Sequence, residues 1–330
     1  MVLHKALIAA VLATITAAGV RAEVSEITIA QQYGVSFLPL IVMEKQGLVE
    51  KRAKQLGFSG ITVKWTKVAG PSVMNDGLIS GAIHFAAQGA PSLITLWDKT
   101  HGQIKGVSAL TTYPLYLVTR NPEVKTIKDF TDKDKIAVPS VKISTQAIML
   151  QMAAAKAFGQ ENFTKLDPLT VSLSHPDATL AFINHTAGVN AHFSTSPFYE
   201  QEIKLPGAQI TTSYEILGGP ATALVLTTST RFREENPKAY KATFEALSEA
   251  IDIVNRDKHA AAELYREVAH DTKTTAAEIV VMISDRNYAF TLVPQKVFAT
   301  AQFMAKIGSI KNAPKAVGDL FFPESSGKGD

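Results

Sequence analysis

The chain has 330 residues, 46% of them hydrophobic and 19% charged, with a formal net charge of +3 and no cysteine. This length and composition supply one large or two medium hydrophobic cores and exclude a disordered or fibrous chain. The near balance of charge excludes nucleic acid and acidic membrane as partners, and the lack of cysteine excludes disulfides, a thiol nucleophile and a lipidated thiol.

Residues 1–22 read as a secretory signal peptide: Lys5 makes a positive start, residues 6–18 are apolar and uncharged, and Val20-Arg21-Ala22 is a small-x-small cleavage site. The apolar run is shorter than the roughly 20 residues needed to cross a bilayer. Cleavage after Ala22 removes Lys5 and Arg21, leaving 31 basic against 30 acidic residues. The mature chain is expected in the periplasm.

After the signal, residues 26–30 predict a strand ending in Gln31-Gln32-Tyr33-Gly34, then a helix with Leu38, Ile41 and Val42 on one face and Gly47 as its stop. Residues 61–68 alternate as a strand, turn through Ala69-Gly70-Pro71 and enter a helix over 72–80, and residues 83–86 are the next strand. Strand, loop, helix repeated in this way predicts a parallel sheet with crossover helices. The order then starts again: a strand over 135–138, a loop over 139–143, a helix over 144–158, a strand over 170–173, a helix over 176–184 and a strand over 189–193. Each half runs about 50 residues from its first strand to a His-Phe step, His84-Phe85 and His192-Phe193, a period too long for a solenoid. Two similar α/β lobes are predicted, with 23–114 in lobe 1, 115–225 in lobe 2 and 226–330 completing lobe 1 and ending in a polar tail. Apolar strands at 115–119 and 222–227 are expected to be the two crossings between lobes. Pro237 opens a long helix whose apolar face is Tyr240, Phe244, Leu247, Ile251 and Val254.

Ligands of open α/β sheets sit beyond the carboxyl ends of the strands. The loops there are rich in Gly, Ser, Thr and Gln: Gln32-Tyr33-Gly34, Ala69-Gly70-Pro71, Gln88-Gly89-Ala90, 139–145 and Ser194-Thr195-Ser196. None carries Asp or Glu, so an ammonium ligand lacks its partner, whereas helix N-termini and small polar loops favour a small anion or a neutral polar ligand. Candidate binding residues are Gln32, Tyr33, Phe37, Gly70, Pro71, Gln88, Gly89, Tyr113, Lys142, Ser144, Thr145, Thr195 and Ser196, with Lys142 the only charged side chain in those loops. Against these stand structural readings: Ser144 and Thr145 as helix caps, Tyr33, Phe37 and Tyr113 as core aromatics, His84 and His192 as packing at strand ends. Motifs for a nucleophile elbow, a phosphate loop, a dinucleotide turn and a zinc helix are all missing, so catalytic residues, metal and cofactor are not expected.

ITVKWTKVAGPSVMNDGLISGAIHFAAQGAPS resembles the strand-AGP-helix-strand block of periplasmic substrate-binding proteins of ABC transporters, in the nitrate/sulfonate/taurine group. KTIKDFTDKDKIAVP, PDATLAFINHTAGVNAHFSTSPF and FREENPKAYKATFEAL are similar to later blocks of that group, in the same order, from about Ile27 to about Tyr265. The resemblance implies a type II periplasmic binding protein fold, with two lobes, each a mostly parallel sheet flanked by helices, joined by a two-strand hinge. It also implies a monomer that closes on one small anionic solute and hands it to a membrane permease with its ATPase. Two departures are visible: residues 139–143 lengthen the loop before Ser144, and Thr195 stands where sulfonate binders carry an aromatic. The same scaffold hosts pyrimidine-precursor binders and a pyrimidine-forming enzyme of thiamine synthesis, which makes an exported enzyme or aromatic-compound binder the alternative. That enzyme relies on cysteines absent from this chain.

Overall fold

The computed structural model describes residues 22–326; the signal peptide expected over 1–22 lies, but for Ala22, outside the described residues, as does the end of the polar tail. Two sheets organise the chain. The first takes β1 (Glu26–Gln31), β2 (Thr62–Lys67), β3 (Phe85–Gly89) and β4 (Ile104–Thr112). The second takes β5 (Tyr116–Thr119), β6 (Ile136–Val138), β7 (Thr170–Ser172), β8 (Ala191–Ser194) and β9 (Ala208–Thr212), before the chain returns to the first with β10 (Thr222–Ser229) and β11 (Ala289–Phe290). Between them run α1 (Leu38–Gln46), α2 (Leu48–Gln55), α3 (Pro71–Ser80), α4 (Ala90–Lys99), α5 (Thr145–Phe158), α6 (His175–Asn184), α7 (Phe198–Glu202) and α8 (Ser213–Leu217). After β10 come α9 (Thr230–Glu235), α10 (Pro237–Arg256), α11 (Lys258–Ala269), α12 (Ala276–Ser284) and, beyond β11, α13 (Val297–Lys306).

The strand orders are β11-β4-β10-β3-β1-β2 and β7-β6-β8-β5-β9. Setting β11 aside, each strand of one sheet has a counterpart at the same place in the other. The His-Phe strands β3 and β8 correspond: each lies parallel to its lobe's first crossover strand, pairing Ile29 with Phe85 in one and Ala137 with His192 in the other. Both sheets are mixed and, as expected, mostly parallel: β1 to β4 run one way in the first and β6 to β9 one way in the second, with β10, β11 and β5 reversed. Where a helix intervenes the chain has length to cross back and pair parallel, as β1 does with β2 and β3. Where the chain enters or leaves a lobe it pairs antiparallel, β10 with β3 and β4, β5 with β8 and β9. The strands expected to bridge the lobes are therefore β5 and β10, internal to the two sheets. The crossings are the short segments before them, 113–115 and 218–221, so the return to the first sheet precedes Thr222.

Local chemistry accounts for the helix ends. Gly47 closes α1 in the left-handed region at φ 58°, where a side chain would be strained, and its N–H donates to the Glu44 carbonyl. Pro71 and Pro237 occupy first-turn positions whose N–H has no helical partner in any case. On α10, Tyr240, Leu247, Ile251 and Val254 are buried as the spacing predicts, while Phe244 sits at the edge of the core. Phe85 is fully buried, edge-on to Phe232 at 5.1 Å between ring centres, which joins β3 to α9; burial of such a ring contributes about 1.5–3 kcal/mol.

Candidate functional site

Four helices begin where a strand ends, and their first residues meet. α3 follows β2 with Gly70 as its cap, α4 follows β3 with Gly89, α5 follows β6 with Ser144, and α6 follows β7 with Ser174. Ser144 Oγ accepts the Ala147 N–H at 3.3 Å and donates to the Ser140 carbonyl at 2.8 Å; Ser174 Oγ accepts the Asp177 N–H at 3.3 Å. Pro71, Gly89, Ser144, Thr145 and His175, all within one residue of a helix start, line one small cavity of about 30 Å³ between the sheets. Its other walls are Gln32, Tyr33 and Phe37 from the loop after β1, Tyr113 and Leu115 from the first crossing, Pro139, Gln146, Thr195, and Ala223 and Leu224 from β10. Among the described residues this lining holds no Lys, Arg, Asp or Glu. The first turns of the helices are thus its source of positive potential, reduced where Pro71, Pro91 and Pro176 carry no N–H and where Ser144 and Ser174 already take the Ala147 and Asp177 N–H groups.

The lobes are pressed together around the cavity. Val35 N–H donates to the Ser196 carbonyl at 3.3 Å, Ser72 Oγ lies 3.1 Å from Ser140 Oγ, and Ser92 Oγ lies 3.4 Å from the Ile143 carbonyl. Glycine permits the closest approaches. A Cβ on Gly89 would lie 2.0 Å from Thr145 Oγ1, and one on Gly70 2.4 Å from the Pro139 carbonyl. In this closed arrangement the cavity has room for little more than one or two waters.

Of the residues singled out from sequence, Gln32, Tyr33, Phe37, Pro71, Gly89, Tyr113, Ser144, Thr145 and Thr195 come together on the cavity, and Gly70, Gln88, Lys142 and Ser196 stand off its lining. Gly70 and Ser196 make contacts between the lobes, as above. Gln88 is fully buried on β3, with neither amide atom hydrogen-bonded. Lys142 is exposed at φ 63°, and its charge acts on Asp167 of the same lobe, whose carboxyl burial pushes up while Gln151 and Lys142 pull it down. His84 is the packing residue expected: Nδ1 accepts the Thr28 N–H at 2.8 Å, and burial holds its pKa down against the pull of Glu26.

His192 does more than pack. Its Nδ1 lies 2.7 Å from Glu202 Oε1, its Nε2 lies 2.9 Å from His175 Nδ1, and His175 Nε2 lies 3.1 Å from Gln146 Nε2. Thr179 Oγ1 donates to the same Glu202 oxygen at 2.6 Å, and all five side chains are buried. Burial, then the nearness of His192, holds His175 well below its usual pKa, so its ring is neutral. Gln146 and His175 were not singled out from sequence. The signal was there: His175 opens α6 as Thr145 opens α5, and the reasoning from helix starts reaches it once the strand at 170–173 is followed to its helix.

A larger groove of about 410 Å³ adjoins the same loop. Gln31, Gln32, Tyr33 and Tyr265 line it from one lobe, Thr179, Leu180, Phe198 and Gln201 from the other. Among the described residues no group of three or more His, Asp or Glu is placed to hold a metal ion, and no helix is long and apolar enough to cross a membrane.

No curated protein matches the chain. Among solved structures, the alkanesulfonate-binding protein SsuA from Xanthomonas axonopodis pv. citri bound to MOPS is similar at a TM-score of 0.68 and 17% identity, over 89% of this chain and 96% of that one. The periplasmic nitrate-binding protein NrtA from Synechocystis PCC 6803 is similar at 0.61 and 16%, over 86% and 81%. The Candida albicans CA3427 product, which exhibits the generic periplasmic binding protein fold, is similar at 0.63 and 15%, over 88% and 92%. At such identities the likeness shows the fold alone. The NMT1-like family, by contrast, matches at the level of sequence over residues 21–269. The chain thus has the periplasmic binding protein fold and belongs to the NMT1-like family.

Proposed function

We propose that this chain is the periplasmic solute-binding component of an ABC importer, exported by its signal peptide, that closes two lobes on a small anionic solute and delivers it to a membrane permease with its ATPase. The observation that carries the reading is the convergence of four helix starts, two from each lobe, on one cavity whose walls have no charged side chain. Helix N-termini hold an anion through fixed N–H groups, and enclosure between lobes strengthens each contact by removing water. A solute that touches both lobes only when they are closed favours closure by its difference in affinity for the two states. The sulfonate and nitrate binders of the same fold are consistent with this class of solute.

The alternative, an exported enzyme or aromatic-compound binder using the same cleft, draws on one observation: two histidines and a carboxylate are hydrogen-bonded in series behind the cavity. Thermal unfolding with nitrate, methanesulfonate, sulfate, acetate and a neutral pyrimidine separates the two. A binder held at 100 times its Kd gains about 2.7 kcal/mol, which raises Tm by roughly 4 °C, with the solute recovered unchanged. A shift with the pyrimidine alone, or consumption of the solute, defeats anion capture.

A further inference from the structure

The buried series behind the cavity has a direction, and both of its ends give the same one. With Glu202 as a carboxylate, Oε1 accepts from Thr179 Oγ1 and from His192 Nδ1–H. His192 Nε2 is then an acceptor, so His175 carries its proton on Nδ1 and points a bare Nε2 at Gln146. From the other end, the Gln146 amide turns its Nε2 toward His175 Nε2, which requires that same bare nitrogen. Gln146 therefore has its Oε1 and one remaining N–H for the cavity, a wall half acceptor in character. An anion would be opposed by that oxygen.

One added proton reverses this. If His175 Nε2 gains a proton, it becomes a donor, and the amide must turn to accept it through Oε1. Both N–H bonds of Gln146 are then free for the solute. The proton comes from water and stays on the series, whose net charge rises from −1 to 0, and no other bond is made or broken. Thr179 stands on the wall of the 410 Å³ groove, so the series runs from one compartment to the other. The titratable groups on the surrounding elements are Glu200, Glu202 and Tyr199 on α7, Asp177 in the first turn of α6, Tyr116 on β5, and Tyr33 and Tyr113 across the cavity; β6 and the first turn of α5 bring none. Asp177 is held by Ser174 Oγ and Glu200 Oε1 by Ser196 Oγ at 2.7 Å, while Glu200, raised by burial and in part by the charge of Glu202, stands electrostatically beside the series, and Glu202 Oε2 has no hydrogen-bond partner among the described residues.

We propose that Gln146 is a specificity-determining residue whose polarity is set through His175, His192 and Glu202, and that closure on an anion adds one proton to this series and turns the amide to face the solute with its N–H groups. This rests on the reading of the cleft as an anion site. Its consequence is selective: an anion binds together with a proton, whereas a neutral solute that donates a hydrogen bond binds without one.

Two measurements on the full mature chain test it. Two-bond 1H–15N NMR at neutral pH, with no ligand, is expected to show both His175 and His192 as neutral rings with the proton on Nδ1; a proton on Nε2 of either ring overturns the proposal. Calorimetry with nitrate and with methanesulfonate, in buffers of different ionisation enthalpy, is expected to show net proton uptake on binding at neutral pH, with affinity falling as pH rises. Glu202→Gln abolishes the uptake and flattens the pH profile, which loss of packing alone would not do; Gln146→Leu, which leaves the series intact, serves the same purpose should E202Q not fold. Uptake of zero in the native chain, or unchanged in both variants, overturns the proposal. Binding of neither anion defeats the anion reading instead, because the ring tautomers are read without ligand.

Discussion

Gly89 shows how one side chain, or its lack, sets what the cleft can do. Its backbone, at φ −66° and ψ 148°, suits any residue, so neither strain nor a turn requires glycine there. The closed state requires it, since a Cβ would fall 2.0 Å from Thr145 Oγ1 on the facing lobe. Gly89→Ala is therefore expected to leave the separate lobes folded and to oppose their closure by about 1–3 kcal/mol, weakening ligand about 5- to 150-fold. Small-angle scattering would find the variant still open at solute concentrations that close the native protein, and affinity equal to native would remove closure from the account. The sequence marked Gly89 as a loop residue near ligand. It could not mark the glycine as a point of contact between lobes, because the atom it avoids lies 56 positions away, a separation set by the fold.

At the scale of elements, helix starts are the unit from which the site is built. Ser144 caps α5, and its hydroxyl also ties the cap to Ser140 in the lengthened loop. Ser144→Ala should cost about 1 kcal/mol, roughly 1.5 °C in Tm for a protein of this size, and weaken anion binding through a frayed first turn. Unfolding followed by circular dichroism and titration calorimetry read the two effects separately, and unchanged affinity would mean that this helix end does not face the solute. Most of these elements were legible because local chemistry repeats: Gly and Pro punctuate, Ser caps, and apolar residues recur at helical spacing. The strand at 115–119 was legible as a strand but its place inside the second sheet was not, since a short apolar run looks the same inside a sheet as between two. Its antiparallel pairing with β8 and β9 comes from where the chain enters the lobe, which no local signal records.

For the whole molecule, burial of neutral histidines links stability to pH. His175 and His84 both have pKa values lowered by burial, from 6.5 in the unfolded chain. The unfolded state therefore binds more protons below that value, and the stability is present above pH 6.5 and lost as pH falls. A ring that stays neutral contributes a slope of up to about 1.4 kcal/mol per pH unit. Tm is expected to fall between pH 7 and 5.5, and a replacement of His175 by Gln should flatten the fall. At lower pH Glu200, whose carboxyl burial pushes up, works in the opposite direction and makes the curve shallower. A Tm that rises from pH 7 to 5.5 would contradict the neutral buried rings.

Two α/β halves, their helix starts and the polar, uncharged character of their loops follow from the sequence by itself, because they depend on propensities and spacings acting within about 20 residues. The doubled His-Phe step likewise marked equivalent strands. Only the tertiary structure decided that Lys142 faces away while Gln146 and His175 face in, that His84 is packing while its counterpart His192 leads to Glu202, and that the sheets are mixed. Those outcomes turn on which groups meet across distant segments, and a hydrogen bond or a clash between lobes is defined by separation in space, to which residue order alone does not give access.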